Sequence, residues 1–138
     1  MKPAVEAAVA EIRAGLPGHE VCLKPDSDGG AYVIVEGAEI GHHFAPATTW
    51  VGFQITWAYP DADVYPHFID PALRYIGQGD APNHHAEGNL PKAMTRDATM
   101  PGFGLAAMQV SRVSRHRNAA TDSALHKLVR IIEFLASR

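Results

Sequence analysis

The sequence predicts an α+β domain: an N-terminal helix, a four-stranded antiparallel meander, a long loop and a C-terminal helix. Three observations predict it. Apolar residues recur at helical spacing near the two ends, a period-two alternation runs through Thr48–Trp57, and prolines and glycines crowd the stretch from Asp70 to Leu105. With 138 residues, 46% of them hydrophobic and 20% charged, the chain supports one core and one domain spanning 1–138.

The elements follow in order. Pro3 suits the first turn of a helix, and Val5, Val9, Ile12 and Leu16 place an apolar stripe on it until Pro17-Gly18 ends it. His19 to Lys24 reads as a first strand before the turn-forming PDSDGG, and the β-branched AYVIVE (31–36) as a second. In the third, Val51, Phe53, Ile55 and Trp57 fall on one face and Gly52, Gln54 and Thr56 on the other, so one face is expected to be buried. Tyr59-Pro60-Asp61 breaks that strand, and YPHFI (65–69) resumes an extended pattern, with Pro66 arguing for an edge or a strand start. The Asp70–Leu105 stretch reads as a long irregular loop, a kind of segment that often carries function. Leu125, Leu128, Val129, Ile132 and Leu135 then mark a final helix, with Asn118 or Thr121 as its N-cap and Asp122 at its positive end.

No apolar run has the roughly 18 to 20 residues that a membrane span needs, and glutamates interrupt the N-terminal stretch where a signal peptide is uniformly apolar. The expectation is a soluble, cytoplasmic protein with no membrane partner. The single cysteine, Cys22, suits a reducing compartment and excludes an internal disulfide or a multi-thiolate zinc site. The net charge is −3, unevenly spread. Val110 to Arg138 holds six Lys/Arg against two acids, a net of +4, which leaves −7 on the remainder. Such polarity suggests electrostatic steering of a partner to the basic end.

Two segments, PATTWVGFQITWAYPDADVYPHFIDPALR and SRHRNAATDSALHKLVRIIEFL, carry a resemblance. Together with the element order and the tyrosine-proline turn, they resemble the ubiquitin-conjugating-enzyme (UBC) fold. The likeness is strongest to the bacterial branch of that superfamily, whose members keep a related YPD…P…F segment and an SRH before a D-x-x-L helix. The resemblance implies a UBC-like domain in a ubiquitin-like conjugation pathway, with a ubiquitin-like protein and an activating-enzyme-like protein as partners and no cofactor.

Conjugating enzymes carry the ubiquitin-like C-terminus as a thioester, which requires an accessible, readily ionised cysteine and an oxyanion donor. Here the pattern departs from the family. Ala81-Pro82-Asn83 partly matches the family's histidine-proline-asparagine stretch and Gly88 falls at its glycine, but Pro91 stands where the cysteine belongs. Counting back from the last helix instead arrives near Met108 and Gln109, again without a thiol, and Cys22 lies in the first strand. The resemblance therefore implies a noncatalytic homologue that binds pathway proteins. The alternative is transfer through an oxyester, with Ser111 or Ser114 as nucleophile, His116 as base and Asn83 as oxyanion donor.

Two further readings compete. Eight histidines, with His42-His43, His84-His85 and His116 in loops or at element edges, allow a metal site to be drawn with Asp80 or Glu87, yet no HExxH or CxxC spacing appears. Solvated or hydrogen-bonding histidines and no metal are expected. Arg112, Arg115 and Arg117 allow phosphate contact, but the acidic remainder and the lack of an aromatic platform in that segment argue against nucleic acid as a partner.

Overall fold

The structure, a computed structural model, describes residues 1–76 and 90–138. It is α+β: helix α1 (Pro3–Gly15), strands β1 (Val21–Pro25), β2 (Ala31–Glu39), β3 (Phe44–Ala45), β4 (Thr48–Ile55), β5 (His67–Ile69), β6 (Arg74–Tyr75), β7 (Met94–Met100) and β8 (Leu105–Val110), and helix α2 (Ala124–Ala136). The main sheet is antiparallel with strand order β1-β2-β4-β5-β8-β7, while β3 and β6 form a separate two-stranded pair.

The expected four-strand meander corresponds to β1, β2, β4 and β5, but the main sheet has six strands. The extra two come from the stretch expected to be loop. MTRDATM and LAAMQV alternate weakly because little of β7 is buried, and they pair through a turn built on Pro101, Gly102 and Gly104. β8 then joins β5 through His67↔Val110, Phe68↔Gln109 and Ile69↔Met108, extending the sheet past its expected edge.

Both faces of the sheet carry apolar residues. On the helix side, Val5, Val9 and Ile12 of α1 and Leu128, Ile131 and Leu135 of α2 pack with Val33, Val35, Val51, Phe53, Ile55 and Ile69 in one buried cluster. On the other side, Ile34, Phe68, Met100 and Ala107 form a smaller cluster with half-buried Tyr32, Trp50 and Phe103 around it. At Gly52 a Cβ would lie 2.6 Å from Met100 Sδ, so any larger residue there requires the Met100 side chain to shift. The sheet coils enough for the tip of the β7–β8 hairpin to reach the far edge, where Lys24 Nζ donates to the Gly102 carbonyl (2.9 Å). Gly102, at φ +81°, lies directly on the Tyr32 ring, a place and a backbone conformation that favour glycine.

Three local expectations are corrected. Trp57 does not continue the buried face of β4, because the strand ends at Ile55; it is 55% exposed, with Lys2 Nζ 4.9 Å from its ring centre. The N-cap of α2 is Ser123, whose hydroxyl accepts from His126 N (3.1 Å), while Asn118 and Asp122 organise the preceding turn. The buried face of α2 is centred on Ala124, Lys127, Leu128, Ile131 and Leu135, so Leu125, Val129 and Ile132 are only half-buried. No helix among the described residues is long and apolar enough to cross a membrane.

Candidate functional site

The two segments that carry the family resemblance meet in space, and Asp63 is where they join. It stands in the turn after Tyr59-Pro60. Its carboxylate accepts from Lys127 Nζ (2.8 Å), from the Ser114 amide (2.9 Å) and from the Ser114 hydroxyl (3.1 Å). Arg117 Nε lies 3.7 Å away, and its guanidinium also donates to the Asp61 carbonyl (3.1 Å). Burial alone would raise the Asp63 carboxyl, but hydrogen bonds from Lys127 and Ser114 and the Lys127 charge outweigh it and hold the group below the usual carboxylate range. Nearby, Tyr59 closes the same junction: its hydroxyl accepts from Ala124 N (3.1 Å), one of the amides that a helix start leaves unpaired.

This geometry defines what Ser114 does. Lys127 Nζ donates to Ser114 Oγ at 2.7 Å, and Oγ passes its own proton toward Asp63. The Lys127 ammonium thus has no lone pair to accept the serine's proton, and the hydroxyl is held on both sides. The arrangement is a partly buried ion pair bridged by a serine, a structural link between the strand-4 exit and α2.

Below it sits His67 in β5, fully buried, 5.2 Å from the Phe53 ring and with no hydrogen-bond partner for either ring nitrogen among the described residues. Burial, assisted by the Lys127 charge and opposed by Asp63, pushes its pKa down to about 3. The imidazole is a neutral core group.

Above the junction a cleft opens between the β8–α2 connection, residues 91–93 and the Lys127–Ile131–Phe134 side of α2. Its rim is basic. Arg130 is held by Asp122 (3.2 Å), whose carboxyl is kept low by the Asn118 amide and by Arg130. Arg112 and Arg138 stack on the Phe134 ring at 4.2 and 4.5 Å. Lys92, Arg112 and Arg115 have no carboxylate partner among the described residues.

The candidate oxyester residues separate within this frame. Ser111 lines the cleft and accepts from Gln109 Nε2 (2.9 Å). Ser114 is committed to Asp63 and Lys127, and His116 is exposed on the rim with no hydrogen bond to either serine. Asn83 lies outside the described residues, as do Asp80, His84, His85 and Glu87. Among the described residues no three His, Cys, Asp or Glu side chains converge as a metal ion requires. Cys22 is half-buried on β1 opposite Ile34, and burial first, then the charges of Glu20 and Glu36, push its thiol pKa up, the reverse of what a thioester-forming cysteine needs.

Sequence reasoning missed Asp63 and Lys127. The available signal was Lys127 itself, a charge between Ala124 and Ile131 on the buried face of a short helix, where an unpaired ammonium is not tolerated. Compared with known proteins, the chain matches no family model, no curated protein and no solved structure.

Proposed function

We propose that the chain is a noncatalytic, UBC-like component of a bacterial ubiquitin-like conjugation pathway, which binds the activating enzyme, the ubiquitin-like protein or both. One observation carries this reading. The segments that hold the resemblance bond to each other through Tyr59–Ala124, Asp61–Arg117 and Asp63–Ser114–Lys127, so the motif residues act as the frame of the domain. A serine used as a structural bridge and a thiol with raised pKa on β1 both favour binding over group transfer. The test is co-elution in size-exclusion chromatography with the cognate activating enzyme or ubiquitin-like protein. A shared peak with either supports the proposal, and separate elution from both contradicts it.

Oxyester transfer remains the second reading, and Ser111 is what favours it: the side chain lines the cleft with Gln109 as its one hydrogen-bond partner among the described residues.

A further inference from the structure

The basic cleft beside α2 has a chemistry of its own, independent of the conjugation reading. Its charges are of two kinds. Arg117 and Lys127 share Asp63, and Arg130 pairs with Asp122. Lys92, Arg112, Arg115 and Arg138 have no carboxylate partner among the described residues, where no acidic side chain other than Asp122 lines the cleft. Stacking of the Arg112 guanidinium on Phe134 restrains a planar, five-donor fork before any partner arrives, which lowers the ordering cost of a bidentate contact to a carboxylate. The cleft volume, about 1460 Å³, exceeds the roughly 300–1,000 Å³ of small-molecule pockets, so a stretch of chain fits it better than a single metabolite.

Two observations select the kind of polyanion. Single-stranded nucleic acid binds through bases stacked on aromatic faces as well as through phosphates. Here Phe134 is occupied by Arg112 and Arg138, and Tyr75, the other Phe, Tyr or Trp side chain lining the cleft among the described residues, packs edge-on against Phe44. The charge outside Val110–Arg138 is −7, so a long polyanion running past the cleft meets repulsion, whereas a short acidic segment confined to it does not. We infer that this cleft is a docking site for a short, acidic peptide segment of a partner protein, with Arg112, Arg115 and Lys92 as its carboxylate contacts.

Fluorescence anisotropy with a labelled deca-glutamate peptide tests this on the full chain. Saturable binding at 20 mM salt is expected, weakening at least tenfold in Arg112→Glu and in Arg115→Glu and weakening again at 200 mM salt. Arg115→Glu serves as the second variant because Arg115 is exposed and outside the Phe134 stack; Arg74→Glu, on β6, is the control expected to bind as the unmodified chain does. Absence of saturable binding, equal binding by Arg115→Glu and the unmodified chain, or tighter binding of a length-matched single-stranded RNA than of the peptide overturns the inference.

Discussion

The Asp63 carboxylate and the Lys127 ammonium lie 2.8 Å apart, joining the turn that follows β4 to the buried face of α2 across 64 residues of sequence. Their side chains are 18% and 7% exposed, so each desolvated charge depends on the other and on Ser114 to remain tolerable.

That dependence is asymmetric and measurable. Asp63→Ala leaves Lys127 buried without a carboxylate and is expected to cost about 3 kcal/mol in urea denaturation. Lys127→Met costs less, because Asp63 keeps both Ser114 hydrogen bonds and Arg117 at 3.7 Å. Ser114→Ala removes one bridging hydroxyl and costs about 1–2 kcal/mol. Equal losses for Asp63→Ala and Lys127→Met contradict the assignment.

The start of α2 gives a second, independent pair. Tyr59 caps Ala124 N and Ser123 caps His126 N, two different unpaired amides. Tyr59→Phe and Ser123→Ala are each expected to lower stability by about 1 kcal/mol, with near-additive effects in the double variant. Thermal or urea unfolding of the three variants checks this.

His67 sets the response to acid. Its folded pKa, about 3, lies below its ordinary value of 6.5, so on acidification the unfolded chain takes up a proton that the folded chain refuses. This contribution is fully present above pH 6.5 and is lost as pH falls toward 3, at about 1.4 kcal/mol per unit. Asp63, whose carboxyl is held low, loses its contribution only as pH falls through and below the ordinary carboxylate value of 3.8. Between pH 7 and pH 5 the loss is therefore mainly that of His67, about 2 kcal/mol. Urea denaturation of His67→Leu at both pH values is expected to show that difference largely removed; an unchanged difference locates the acid sensitivity elsewhere.

Cys22 provides a chemical check. Burial and two neighbouring carboxylates disfavour its thiolate, so iodoacetamide alkylation at pH 8 is expected to run more slowly in the folded chain than in urea. Alkylation at equal rates in the two states contradicts the raised thiol pKa.

The parts of the fold legible in the sequence are those where burial is one-sided or a breaker is local. The α1 stripe and the Val51–Phe53–Ile55 alternation both stand in the structure because each presents a single face to the helix-side core. The β7–β8 hairpin was not legible, since Thr95, Asp97 and Thr99 are exposed and its buried residues divide between the helix-side core (Met94, Met108, Val110) and the smaller cluster on the opposite side (Met100, Ala107), with a register shift between Thr95 and Ala98. The joining of Asp63 to Ser114 and Lys127 was out of reach for another reason: it spans 51 and 64 residues, and no local pattern encodes a contact of that separation. The grouping of Arg112, Arg115 and Arg117 was legible as charge, but the structure divides it, giving Arg117 to Asp63 and Arg112 to Phe134.

In the function proposed above, Ser114 is a structural bridge and the domain binds pathway proteins without bonding covalently to them. Intact-mass spectrometry after incubation with the cognate activating enzyme, ubiquitin-like protein and ATP tests it most directly. The unmodified 14.9 kDa chain is expected throughout. A species heavier by one ubiquitin-like protein, stable to thiols, cleaved by hydroxide and lost in Ser114→Ala or Ser111→Ala contradicts it.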